Sequence, residues 1–157
     1  MRVPRVYLET SVFNFVFADD APDKRQDTLR LFEEIRQGKY EPYTSEYVLQ
    51  ELEDAPEDKR QRMLQLISDY CVNVITTSDE AIWLADAYVE EGIIPVKYRT
   101  DALHIAVTSV MDLNFIASWN FKHIVKRKTI LLTESVNARE GYNRIGIYSP
   151  TEVIENG

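Results

Sequence analysis

The chain has 157 residues, 45% of them hydrophobic, with 28% charged residues spread along its length. That is enough apolar material for one core and one domain over 1–157, and it excludes a disordered or low-complexity chain. Lys and Arg number 18 against 26 Asp and Glu, a formal charge of −8, which argues against a tight non-specific nucleic-acid binder but leaves room for a local basic rim.

The one cysteine, Cys71, excludes an internal disulfide framework. Its place in the apolar run Cys71-Val72-Asn73-Val74-Ile75 predicts a small buried hydrophobe. Met1-Arg2-Val3-Pro4-Arg5 lacks a signal-peptide apolar region, and no apolar run approaches the ~20 residues of a membrane span. A cytoplasmic protein is expected.

In chain order, Val6-Tyr7-Leu8 reads as a buried parallel strand ending at Glu9-Thr10-Ser11. A helical turn over Val12–Phe17 and a loop at Asp19–Asp23 follow. Leu31, Phe32 and Ile35 give helical spacing over Thr28–Gln37, closed by Gly38. A short strand surrounds Tyr43. Ser45 caps a helix through Val48, Leu49 and Leu52, which Asp54-Ala55-Pro56 breaks. Residues 57–69 form a further helix, and Val72–Ile75 the third strand. Ser78 starts a helix that Gly92 stops. Thr100 caps the helix Asp101–Met111, whose nearly unbroken apolar character predicts burial on most sides. Phe115–Ala117 is the fourth strand, Lys122–Arg139 the last long helix before Gly141, Ile145–Tyr148 the fifth strand, and Ser149-Pro150 a final turn. Strands alternating with helices imply an α/β fold, a parallel sheet with helices on both faces.

In such sheets the ligand crevice lies at the carboxyl ends of the strands. Glu9 follows strand one, Glu51 lies on the helix after strand two, Asp101 opens the most apolar helix, and Asn120 follows strand four. Clustered carboxylates repel one another unless a cation sits among them, and Mg²⁺ and Mn²⁺ choose oxygen ligands. No nucleotide-binding glycine fingerprint, zinc spacing or Gly-x-Ser-x-Gly elbow is present. Metal-assisted phosphodiester hydrolysis is the leading chemistry. Plainer readings stand beside it. Glu9 also fits a surface acid, and Glu51 one member of an acidic face with Glu46, Glu53 and Asp54. Asp101 fits a helix-dipole acid and Asn120 a turn former. His104, one helical turn after Asp101, reads as an orienting or substrate group or as a packed core histidine. Trp119 fits a base-stacking ring or a buried aromatic. Lys97 and Arg99, with Lys122, Lys126, Arg127 and Lys128, form two basic clusters expected to flank the crevice, or ordinary solvated faces.

At these residues the chain resembles the PIN-domain superfamily, and within it the VapC-like toxins. Val6-Tyr7-Leu8-Glu9-Thr10-Ser11 is similar to the family's opening strand, and Thr44–Leu52 to its second acidic motif. Asp101-Ala102-Leu103-His104-Ile105-Ala106 is similar to the third, and Ser118-Trp119-Asn120-Phe121-Lys122-His123-Ile124 to the fourth. The resemblance implies a three-layer sandwich with a mostly parallel sheet of four to five strands. It also implies an Mg²⁺- or Mn²⁺-dependent endoribonuclease, often a homodimer, neutralised by a small antitoxin. Carried over by position, Glu9, Glu51 and Asp101 hold metal and Asn120 is the fourth corner. Thr10, Ser11, His104 and Lys122 are expected to contact substrate. Glu9 and Asn120 each stand where the family usually has aspartate or another acid, so one firmly held ion is expected. The alternatives are a PIN fold serving as an interaction module, with Phe13, Phe15 and Phe17 lining a groove, and a phosphodiesterase acting on DNA or small nucleotides.

Overall fold

In a computed structural model, which describes residues 2–156, five strands form one all-parallel sheet in the order β3-β2-β1-β4-β5. They are β1 Arg5–Leu8, β2 Glu41–Ser45, β3 Asn73–Ile75, β4 Phe115–Ala117 and β5 Gly146–Tyr148. One row of paired residues, Asn73–Tyr43–Tyr7–Ile116–Ile147, crosses the whole sheet. Val6, Tyr7 and Leu8 are all 0% exposed. Successive strand residues face opposite sides, so the sheet is covered on both faces.

The covering helices are α1 Thr10–Phe15, α2 Pro22–Arg36, α3 Glu46–Leu52, α4 Glu57–Asp69, α5 Asp79–Glu90, α6 Arg99–Val110, α7 Arg127–Glu140 and α8 Pro150–Asn156. Helix α6 packs against α5, α3 and β4, and every residue from Asp101 to Ser109 is buried. This fulfils the expectation from its apolar run. Helix α2 packs on α1 and α8, with the Phe13 and Phe32 rings 6.0 Å apart.

Ser45 and Ser78 act as the expected caps, accepting from the backbone N–H of Tyr47 and Ala81. Gly141 closes α7 at φ 84°, a left-handed position that suits a residue without Cβ. Other boundaries differ from expectation, each for a local reason. Helix α2 begins at Pro22, inside the predicted loop, because proline is favoured in a first helical turn and Asp23 complements the helix dipole there. Helix α6 starts at Arg99 after a 3-10 turn at Val96–Tyr98, so Thr100 lies inside the helix and caps nothing. Helix α7 starts at Arg127, five residues late. Asn120 Oδ1 accepts the His123 N–H at 2.9 Å, and such a side-chain bond to nearby backbone competes with helix formation. The final turn is the helix α8, opened by reciprocal bonds between Ser149 and Glu152.

Cys71 is exposed rather than buried. It sits at φ 53° just beyond α4, while Val72 N–H bonds back to Ile67 O at 2.9 Å. A left-handed residue ending a helix turns its side chain to solvent. Among the described residues, no helix is long and apolar enough to cross a membrane.

Candidate active site

The strand order reverses direction between β1 and β4, and ligands of open parallel sheets bind outside the carboxyl ends at such a point. Glu9 leaves β1 there and Ser118 leaves β4 beside it, with Glu9 N–H bonded to Ala117 O at 3.2 Å. Strand β2 delivers α3, whose second turn carries Glu51. The first turn of α6 carries Asp101 and the next turn His104.

Glu9 is only 4% exposed. Its Oε1 accepts two hydroxyl bonds, from Ser11 at 2.6 Å and Ser118 at 2.5 Å. Ser11 Oγ in turn accepts Trp119 N–H at 2.8 Å, and Ser118 Oγ accepts Asn120 N–H at 2.9 Å. The turn after β4 and the turn after β1 are thereby joined through Glu9.

Glu51 Oε1 accepts from Thr10 Oγ1 at 2.6 Å and lies 2.5 Å from His104 Nε2. His104 is completely buried, and its Nδ1 lies 2.6 Å from Tyr7 Oη, itself 2.7 Å from Ser45 Oγ. Burial works against a charged His104, but the Glu51 hydrogen bond and the fields of Glu9, Glu51 and Asp101 outweigh it and raise its pKa. Burial would raise Glu51, yet the His104 bond and charge and the Thr10 bond bring it below its usual value. The two shifts describe one charge-assisted pair, imidazolium to carboxylate. Burial also keeps Tyr7 protonated far above the usual phenol range. With both His104 nitrogens donating, Tyr7 Oη accepts from Nδ1 and passes its own hydrogen to Ser45.

Asp101 is 8% exposed. Burial first, and then the charges of Glu9 and Glu51, push its pKa from 3.8 up to about 6, against the opposing His104 charge and an Asn120 hydrogen bond. Asn120 therefore turns its amide N–H₂ to Asp101 and its oxygen to His123 N–H.

Polar side-chain atoms of Glu9, Glu51 and His104 lie within 4.8 Å of one another, and of these only the two carboxylates have lone pairs for a cation while both His104 nitrogens carry hydrogen. Asp101 shares the same electrostatic neighbourhood. The set is rich in carboxylate oxygen and carries unrelieved negative charge, which suits a hard divalent cation. Counted formally, three carboxylates against one imidazolium leave two negative charges, the complement of one such ion. Glu46, Glu53 and Asp54 stay outside: Glu46 accepts Thr77 N–H at 3.2 Å, and the other two are exposed.

Of the four residues expected to meet substrate, three are hydrogen-bonded within the cluster. Thr10 and Ser11 spend their hydroxyl hydrogens on Glu51 and Glu9. His104 has no exposed surface and both nitrogens engaged, so it reaches Glu51 and no substrate. Lys122 is exposed, its ammonium 5.6 Å from the Tyr98 ring. Of the basic residues that precede Asp101, Arg99 is committed to Asp86 at 2.8 Å. Phe13 is a core residue at 0% exposure, so the expected three-phenylalanine groove does not form. Trp119 is 7% exposed, with Nε1 donating to Thr28 at 2.8 Å.

Sequence reasoning missed Ser118, Tyr7 and Ser45. Ser118 carried a usable signal, because it leaves β4 just as Glu9 leaves β1. Tyr7 and Ser45 sit within strand-like segments and show their polar role only when α6 is laid on the sheet.

The fold is an α/β architecture with a five-stranded all-parallel sheet flanked by helices, consistent with a PIN-like fold. No family model matches the sequence, and no curated protein matches it. Among solved structures, the chain is similar to one from the crystal structure of VapBC2 from Rickettsia felis bound to a DNA fragment from their promoter. The TM-score is 0.53 at 17% identity, covering 75% of this chain and 89% of that one. The likeness is one of fold.

Proposed function

We propose that this chain is a divalent-metal-dependent endoribonuclease of the VapC kind, acting in the cytoplasm as the toxin of a toxin–antitoxin pair. The observation that carries the reading is that Glu9 and Glu51 bring carboxylate oxygens within 4.8 Å of each other, with Asp101 near enough that their charges help push its pKa up to about 6. The VapBC2 likeness supports it at the level of fold.

In this reading Glu9, Glu51 and Asp101 hold Mg²⁺ or Mn²⁺. A bound ion of that kind polarises a phosphate and makes a water nucleophilic near neutral pH. The chain's own residues supply preorganisation. Ser11 and Ser118 aim Glu9, Thr10 and His104 aim Glu51, and the Asn120 amide aims Asp101, so little reorganisation is left for the reacting state. Asn120 offers no acid at the fourth corner and its oxygen is already committed, which favours one ion over two. The small antitoxin and a homodimer complete the proposal by analogy with VapC-like toxins.

Calorimetry with Mn²⁺ tests the reading. Wild type should bind one ion and Asp101→Asn none, and the loaded wild type should cut RNA in preference to DNA. Absence of Mn²⁺ binding by wild type refutes it. Cleavage of DNA alone would move the chain to the DNA phosphodiesterase class.

A further inference from the structure

Beside Asn120 lies a cluster that the carboxylate chemistry does not use. Lys24, in the first turn of α2, holds its ammonium over three rings: 5.6 Å from Phe15, 5.6 Å from Trp119 and 5.3 Å from Phe121. No carboxylate pairs with Lys24 among the described residues. In a chain with 26 acids against 18 bases, an ammonium that ion-pairs with no carboxylate among the described residues is available to an anion from outside. Phe121 is 46% exposed, so part of its ring meets solvent.

The platform beneath it is anchored by hydrogen bonds and ring contacts. Trp119 meets Phe121 edge-on at 6.1 Å and Phe15 at 5.6 Å. Its indole is bonded to Thr28, and its backbone N–H to Ser11, which holds Glu9. The exposed ring is thus two residues from an anchor of the carboxylate cluster and one residue from Asn120. The next residue, Lys122, turns instead to Tyr98, whose ring stacks on His123 at 4.1 Å. The segment after Asn120 therefore sends cation–aromatic groups in two directions from the site.

We propose that this rim binds an unpaired nucleotide of a single-stranded nucleic acid, its base stacked on Phe121 and a neighbouring phosphate on Lys24. An aromatic face beside an unpaired cation is the pairing that single strands recognise, one part taking the base and the other the backbone. A duplex keeps its bases stacked inside and offers Phe121 nothing. The inference rests on the nuclease reading for its setting, but binding needs no metal.

The test uses the full chain in EDTA, with fluorescein-labelled short single-stranded RNA and DNA homopolymers and a duplex, read by fluorescence anisotropy. Single strands should bind, and the duplex more weakly. Phe121→Ala should lose about tenfold in affinity, within the range that one base stacked on an aromatic ring contributes. Phe121→Trp should bind as wild type does, so a loss in Phe121→Ala from misfolding is distinguished from a loss of stacking. Lys24→Gln should bind more weakly with a salt slope shallower by about one. Variants within about twofold of wild type, equal binding of duplex and single strand, failure of Phe121→Trp to bind, or no oligonucleotide binding by wild type overturns the proposal. The last outcome would leave the rim to a protein partner. Mn²⁺ calorimetry separates the two readings: strand binding without Mn²⁺ binding sinks the nuclease and keeps the subsite, and the reverse does the opposite.

Discussion

Replacing Asp101 by asparagine is expected to stabilise the metal-free protein while abolishing the proposed Mn²⁺ binding. The Asp101 carboxyl goes from 3.8 to about 6 on folding, through burial and the charges of Glu9 and Glu51. Each pKa unit is about 1.36 kcal/mol, so ionised Asp101 costs the fold about 3 kcal/mol, or about 2 after solvent screening. A carboxyl with a raised folded-state value holds its proton more tightly folded than unfolded. Its penalty is therefore full above about 6 and disappears as pH falls toward 3.8. Asparagine keeps the shape and an acceptor for the Asn120 amide but carries no charge. For a chain of this size about 2 kcal/mol corresponds to a rise in melting temperature of about 4–8 °C. Thermal unfolding in EDTA at pH 7.5 should show that gain, and at pH 4 it should nearly vanish. Saturating Mn²⁺ should reverse the order, because ligand at a hundred times its Kd stabilises wild type by about 2.7 kcal/mol. A variant less stable than wild type at pH 7.5 without metal, or a gap unchanged at pH 4, refutes the electrostatic account of the site.

Ser118→Ala removes one of the two hydroxyls aiming Glu9 and should weaken Mn²⁺ binding by about 10–100-fold, the usual effect of losing a support behind a ligand; unchanged affinity in calorimetry counts against the assignment. His104→Gln breaks the buried charge-assisted bond to Glu51 and should cost about 2–3 kcal/mol at pH 6 in urea unfolding. Because His104 is raised above 6.5, its contribution is full below that value and fades as pH rises through the folded-state value; a gap to wild type that widens toward pH 9 contradicts this. Away from the site, Tyr88 donates to Asn137 Oδ1 at 2.5 Å and lies 3.1 Å from Ser109 Oγ, tying α5, α6 and α7 together. Tyr88→Phe should lose about 1–3 kcal/mol with an unchanged denaturant slope, and a loss near zero would show that the network contributes nothing.

Glu9, Asp101 and Asn120 stand out in the sequence because Glu9 and Asn120 follow apolar strand runs and Asp101 opens the most apolar helix. In a parallel sheet the carboxyl end of a strand marks the rim of the ligand crevice. Glu51 was harder: only three-dimensional placement separates it from Glu46, Glu53 and Asp54, and what singles it out is His104, fifty-three residues away. Thr10, Ser11 and His104, expected among substrate contacts, bond to Glu51 and Glu9 instead, because a hydroxyl or imidazole beside an acid looks the same in sequence whether it faces a ligand or holds the acid still. The late start of α7 was hidden for a similar reason. Charge and periodicity after Asn120 favour a helix, while one side-chain bond from Asn120 to the His123 backbone decides otherwise. Cys71 shows the limit of apolar runs, since a helix end imposed its backbone conformation and sent the thiol to solvent.

Buried His104 also bears on the number of ions in the proposed nuclease. A neutral residue there would leave three carboxylates facing one another, a formal charge of −3, and would invite two cations. The His104 imidazole, its pKa raised by these carboxylates, offsets one of those charges through its bond to Glu51 Oε1. Asn120 acts in the same direction, presenting N–H₂ to Asp101 where a further acid would add charge. Both features lower the charge demanded of the solvent side to that of a single divalent ion. Two equivalent Mn²⁺ ions in a titration of wild type would therefore mean that His104 gives up its proton on loading. The loss would be visible as proton release, in proportion to metal bound, when the titration is repeated in buffers of different ionisation enthalpy.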